Sequence, residues 1–109
     1  VTEGRLATSI WVSALLRRAN AAGAFGAVLA KGDATAGAVL LIARSREGDV
    51  RAYQRRAGLG KSRWALAAKG AEAVDGFAER QRRYDEDLWV VELVTEDIAQ
   101  LIDETIDER

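Results

Sequence analysis

The chain has 109 residues, 49% of them hydrophobic and 30% charged, and the charges nearly cancel to a formal net charge of −1. That length suits one domain, expected over residues 1–109, and the balance provides no global field to gather nucleic acid or an anionic membrane. With no Cys and no His, disulfides, thiol chemistry, Cys/His zinc sites and Ser-His-Asp triads are excluded, so no catalytic residue, metal or cofactor is expected.

Only seven residues are aromatic, so a core must be assembled from Leu, Val, Ile and Ala around Trp11, Trp64 and Trp89. The longest uninterrupted apolar run, Ala38–Ala43, is six residues, against the roughly 20 that a membrane-spanning helix needs. The first residues lead into an amphipathic stretch rather than an apolar signal core, and a cytoplasmic location is the expectation.

In chain order, Leu6, Ala7, Ile10, Trp11, Ala14 and Leu15 recur at helical spacing and predict a helix over 6–22, with Arg17 and Arg18 near its negative pole and Gly23 as its stop. Ala24–Ala30 and Gly37–Arg44 are short, apolar and bounded by Gly. The second reads as a strand buried on both faces, and Lys31–Ala36 between them reads as a loop. Arg46-Glu47-Gly48-Asp49 marks a turn, which makes Val50–Arg55 the return strand of a hairpin. Residues 63–68 fit either a strand or the approach to a helix. Ala71–Tyr84 is charge-rich and helical, with Val74, Phe77 and Ala78 inward. Leu88–Val94 is the most strand-like run and is expected to lie centrally. Thr95 is placed as an N-cap for a helix over 95–108, with Ile98, Leu101, Ile102, Thr105 and Ile106 on one face. The predicted class is α+β: a largely antiparallel sheet of four to five strands, with helices at 6–22, 71–84 and 95–108 on one face.

Gly58-Leu59-Gly60-Lys61-Ser62 matches the end of a phosphate-binding loop. The full pattern requires Gly five residues before Gly60, where Arg55 stands, so the stretch reads as a Gly-rich turn. Arg44, Arg46, Arg51, Arg55, Arg56, Lys61 and Arg63 form a local basic surface that leads to Trp64. A charged, aggregation-resistant sheet edge is the preferred reading, and single-stranded nucleic acid binding with Trp64 stacking a base is the alternative. Glu96, Asp97, Asp103, Glu104, Asp107 and Glu108 make the tail acidic, so self-association by opposite charges is a further option. Asp85, Glu86 and Asp87 beside Arg82, Arg83 and Tyr84 would serve acid–base chemistry if buried. Satisfying backbone N–H groups is the preferred role.

Three stretches resemble a bacterial family, domain of unknown function number 1491: Arg5–Val12 with Leu16-Arg17-Arg18, Gly32-Asp33-Ala34-Thr35-Ala36-Gly37, and Tyr84-Asp85-Glu86-Asp87-Leu88-Trp89-Val90-Val91-Glu92. The resemblance covers residues 5–94. Family members carry an aromatic-Asp-Pro-Asp-Leu-Trp run, so Glu86 in place of Pro is a departure. The likeness implies a small intracellular protein and transfers no catalytic residue, substrate or cofactor. It suggests that the Arg17-Arg18 end of the first helix, the Gly32–Gly37 loop and the Asp85–Trp89 junction converge on one surface.

The sequence-based reading is therefore a non-catalytic protein-interaction or regulatory module, with protein as the expected partner and no membrane. Its candidate surface comprises Arg17, Arg18, Asp33, Arg55, Lys61, Trp64, Arg83, Asp85, Asp87 and Trp89. The alternative is a small-molecule binder or minor enzyme that uses Asp33, Asp85 or Asp87 with Arg18 or Arg83, which requires these groups to meet in a pocket.

Overall fold

A computed structural model describes residues 7–56, 63–102 and 105–107. Helix α1 (Thr8–Ala21) buries Val12, Leu15 and Ala19, a three-to-four spacing that puts one apolar stripe on the sheet. Ala7 offers no side-chain cap. The first helical N–H groups are satisfied by a distant loop instead, Thr8 N donating to the Thr35 carbonyl at 3.2 Å and Ser9 N to the Ala34 carbonyl at 2.9 Å. Gly23, at φ 79°, ends the helix as its sequence predicts.

Strands β1 (Phe25–Ala30), β2 (Val39–Arg44), β3 (Val50–Arg56) and β4 (Arg63–Lys69) follow. Then come α2 (Ala71–Tyr84), β5 (Trp89–Val94), the short α3 (Ile98–Ile102) and β6 (Thr105–Asp107). The strand order is β1-β5-β2-β3-β4-β6. The β1–β5, β2–β3 and β3–β4 pairs are antiparallel, whereas β2–β5 and β4–β6 are parallel. The fold is α+β with a mostly antiparallel mixed sheet, and residues 63–68 belong to a strand.

The expected β2–β3 hairpin is present. The Ser45 hydroxyl accepts from Glu47 N and Asp49 N at 3.2 and 3.1 Å, which closes the turn around Gly48. Strand β5 is interior, inserted between β1 and β2, so consecutive strands β1 and β2 are not neighbours. Because two antiparallel steps separate β4 from β2, the β4–α2–β5 segment is a parallel crossover that passes over β3 and β2.

That crossover corrects the expectation of helices on one face. On one side Val39, Leu41, Tyr53, Trp64, Trp89, Val91 and Leu93 pack with Val12, Leu15 and Ala19 of α1 and Leu101 and Ile102 of α3. On the other, Leu40, Ile42, Val50, Ala52 and Val90 pack with Val74 of α2, joined by Phe77 and Ala78. Covering both faces accounts for the unbroken burial of Val39–Ile42.

The end of the chain differs from the helix expected over 95–108. Helix α3 stops at Ile102, and Thr105–Asp107 runs parallel to β4 as a short sixth strand beyond the five longer ones. The cap is Asp97 rather than Thr95: Asp97 Oδ1 accepts from Gln100 N at 3.2 Å, while Thr95 Oγ1 accepts from Asp97 N. The heptad-like apolar spacing therefore serves two elements, since unpaired backbone beside β4 is a competing partner for the chain.

Candidate functional site

The Gly32–Gly37 loop and the Asp85–Trp89 junction meet directly. Asp33 N donates to the Asp87 carbonyl at 3.0 Å, and the Trp89 indole N–H donates to the Asp33 carbonyl at 2.7 Å. A Cβ added to Gly32 or Gly37 would collide with the Asp87 carbonyl oxygen, so glycine is what lets the two backbones approach. The Asp33 carboxylate is turned back on its own loop, accepting from Thr35 N at 3.1 Å and Ala36 N at 2.8 Å. Thr8 Oγ1 donates to the Gly37 carbonyl at 2.8 Å, and this ties the start of α1 to the same knot.

Arg82 holds the other side of the junction. Its Nη1 donates to the Glu86 and Leu88 carbonyls at 2.5 and 3.0 Å and lies 3.5 Å from the Lys31 carbonyl. The turn that carries Glu86 where the family run has Pro is thus braced by a guanidinium. Asp85 Oδ1 accepts from Asp87 N at 3.0 Å, the backbone-satisfying role preferred from sequence. Arg83 points to solvent beside Glu79, 3.8 Å away, and Tyr84 is exposed. The sequence reading named Arg82 only as a neighbour of the acidic cluster and missed this bracing role, because its acceptors are carbonyl groups and no residue type marks a carbonyl that needs a donor.

The Arg17-Arg18 end of α1, expected to converge with them, does not join them. It is the first turn of α1, not Arg17-Arg18, that meets the loop. Arg18 is ten helical steps from Thr8, about 15 Å at the α-helical rise. Arg18 Nε donates to the Leu101 carbonyl at 3.0 Å, at an open cleft of about 660 Å³ also lined by Gly23, Arg46, Glu96 and Asp97. Arg17 is exposed. Asp33, Asp85 and Asp87 are exposed and do not share that cleft with Arg18, so the pocket required for the acid–base reading is not formed by these groups.

Two cations of the basic hairpin have carboxylate partners. Arg44 pairs with Glu92 across the sheet, and Arg51 with Asp49 at 3.0 Å. The Arg44 guanidinium is held above its ordinary pKa, chiefly by the Glu92 hydrogen bond and then by the Glu92 and Asp75 charges, with partial desolvation opposing. Trp64 is fully buried and stacks on Trp11 with ring centroids 5.8 Å apart, and the Arg55 guanidinium lies 5.3 and 5.7 Å from the two rings. Trp64 and Trp89 are therefore core residues, and no base can stack on Trp64 in this arrangement. The Gly58–Ser62 stretch with Lys61 lies outside the described residues, as do the side chains of the acidic tail from Asp103 onward.

The most open apolar surface is one that sequence reading left unmarked. Strand β1 ends the sheet, with Phe25 61%, Leu29 54% and Val28 38% exposed. From Ala19 to Ala30 twelve residues carry no charge. Helix α2 packs on β3 and β4, so Phe25, Ala27, Glu92 and Val94 lie beyond it on the same side of the sheet. Sheet edges are ordinarily guarded by charges, Pro or bulges, and here only the irregularity between Val28 and Ala30 interrupts the strand. The signal was an uncharged strand, legible in sequence; its edge position was not.

No helix among the described residues is long and apolar enough to cross a membrane, and no group of three or more metal-ligating side chains is found among them. The architecture is that of a small α+β protein whose helices cover both faces of one mixed sheet. The sequence model of the family described as "Protein of unknown function (DUF1491)" matches residues 6–103, and the chain belongs to that family. It is 42% identical to a DUF1491 family protein from Caulobacter crescentus CB15 whose crystal structure superposes with a TM-score of 0.85, covering 94% of this chain and 100% of that one. A solution structure of a protein from A. tumefaciens is 35% identical, with a TM-score of 0.81 and coverage of 97% and 98%. An NMR structure of a Caulobacter crescentus DUF1491 family protein is 41% identical, with a TM-score of 0.82 and coverage of 95% and 99%. No curated protein matches the chain.

Proposed function

We propose that this protein is a non-catalytic protein-interaction module that receives a polypeptide strand along the β1 edge. One observation carries the reading: β1 is a terminal, uncharged strand whose Phe25 and Leu29 are more than half exposed. An edge strand offers a row of backbone donors and acceptors, and apolar side chains beside that row give an added strand something to bury. The acid–base alternative loses support because Asp33 and Asp85 are spent on backbone N–H groups. The nucleic acid alternative loses its stacking platform with the burial of Trp64.

The test is affinity capture from native extract, comparing the wild-type chain with Phe25→Lys. The expected result is a polypeptide retained in near-stoichiometric amount by the wild type, whether another protein or a further copy of this chain, and lost with the variant. Nothing specifically retained, or retention unchanged in Phe25→Lys, would count against the edge as the contact surface.

A further inference from the structure

We infer that the open cleft between the end of α1 and the β5–α3 connection binds a small zwitterion, a free amino acid or short peptide that carries both an ionised carboxylate and an ammonium group. Its lining stops at Ala24, before the exposed residues of β1, so it is a surface separate from the sheet edge.

The cleft lies where the parallel neighbours β2 and β5 both end. Thr95 N donates to the Arg44 carbonyl at 2.9 Å, and the loops that follow the two strands supply Arg46 on one side and Glu96 and Asp97 on the other. In α/β sheets, ligand crevices form in the same place, outside the carboxyl ends of parallel strands whose connections diverge.

The charges decide the class of ligand. Arg18 and Arg46 share the cleft with Glu96 and Asp97, yet no two of the four form a salt bridge. Backbone contacts tether three of them. Arg18 Nε donates to the Leu101 carbonyl at 3.0 Å, Glu96 Oε2 accepts from Arg46 N at 2.9 Å, and Asp97 Oδ1 accepts from Gln100 N at 3.2 Å. Each contact uses one side-chain atom, which leaves the Arg18 Nη groups and the second carboxylate oxygens of Glu96 and Asp97 with capacity to spare. Opposite charges held apart in this way are preorganised for a ligand with both signs. A purely anionic ligand would face the two carboxylates and a purely cationic one the two guanidinium groups, whereas a zwitterion meets a complement at each end.

Size and lining narrow the choice. About 660 Å³ falls in the ordinary range of small-molecule sites. Ala21, Ala22, Gly23, Ala24, Val94 and Leu101 contribute small or aliphatic surface and no aromatic ring lines the cleft, so compact aliphatic side chains suit it.

Amide chemical-shift titration of the full chain with L-alanine, L-valine and L-alanyl-L-alanine tests the site, together with the N-acetylated and C-amidated derivative of each. At least one zwitterion is expected to saturate, moving the amides of Arg18, Gly23 and Thr95–Leu101 while those of Phe25–Leu29 stay in place. Its capped derivatives should each bind at least about threefold more weakly. Arg18→Gln should abolish the preference for a free carboxylate and keep that for a free amine; Glu96→Gln should do the reverse. Preferences lost one at a time cannot come from a folding defect. No saturable binding by any of the three zwitterions overturns the inference, as do equal affinities for capped and uncapped forms, preferences unchanged in both variants, or shifts confined to β1. The edge reading is judged separately, by capture with Phe25→Lys.

Discussion

The Trp89 indole N–H reaches the Asp33 carbonyl at 2.7 Å, across 56 residues of sequence, and so links the start of β5 to the loop after β1. Trp89 is only 4% exposed, and the Asp33 carbonyl also accepts from Gly37 N at 3.2 Å, so removing the indole donor takes away one of two hydrogen bonds to that oxygen. Trp89→Phe is expected to destabilise the protein by about 1–3 kcal/mol from the lost hydrogen bond and reduced packing. Urea unfolding followed by far-UV circular dichroism measures this, and a change smaller than about 0.5 kcal/mol would show that the link is dispensable.

The same junction makes glycine substitutions differ in sign. Gly32→Ala and Gly37→Ala each drive a methyl group into the Asp87 backbone, and a loss of about 2 kcal/mol or more is expected at either. Gly76 sits inside α2, where an added Cβ meets only the flexible end of Arg80 at 3.3 Å. Gly76→Ala should therefore stabilise by about 0.5–1 kcal/mol through helix propensity. Thermal unfolding of the three variants should move the midpoint down twice and up once.

Two adjacent arginines separate on the same logic. Arg82 serves the Glu86 and part-buried Leu88 carbonyls, whereas Arg83 has only the exposed Glu79 at 3.8 Å. Arg82→Ala is expected to cost about 1–2 kcal/mol, and Arg83→Ala less than about 0.5. Equal effects in chemical denaturation would remove the bracing role assigned to Arg82.

The Arg44–Glu92 pair gives a pH prediction whose sign follows from the raised Arg44 pKa. A cation whose folded pKa exceeds its unfolded value contributes fully below the unfolded value. The contribution disappears only as pH rises through the folded one, here above the ordinary arginine range. The stability difference between wild type and Arg44→Gln should consequently be flat from about pH 7 to 10. A slope across that window in paired urea titrations would contradict it.

Much of the local structure was legible: α1, α2, the β2–β3 turn and the strand character of β5 follow from spacing, Gly placement and β-branched content. The helix expected over 95–108 was overextended because apolar residues at helical spacing continue past Ile102. Thr105–Asp107 instead finds backbone partners on β4, a choice no local pattern records. Of the ten residues proposed as a surface, Asp33, Asp87 and Trp89 do meet, but as a clasp made largely of carbonyl and N–H groups. Trp64 turned inward under Arg55 and against Trp11.

What the sequence determined alone is the chemistry it lacks, with neither Cys nor His, and the elements whose periodicity is local. Tertiary structure decided that β5 inserts between β1 and β2, that α2 crosses to the face opposite α1, and that the uncharged β1 is left at an edge. The reason is physical: side-chain periodicity specifies which face of an element is apolar. Which element covers that face, and which strand is left without a neighbour, depends on backbone pairing between residues tens of positions apart.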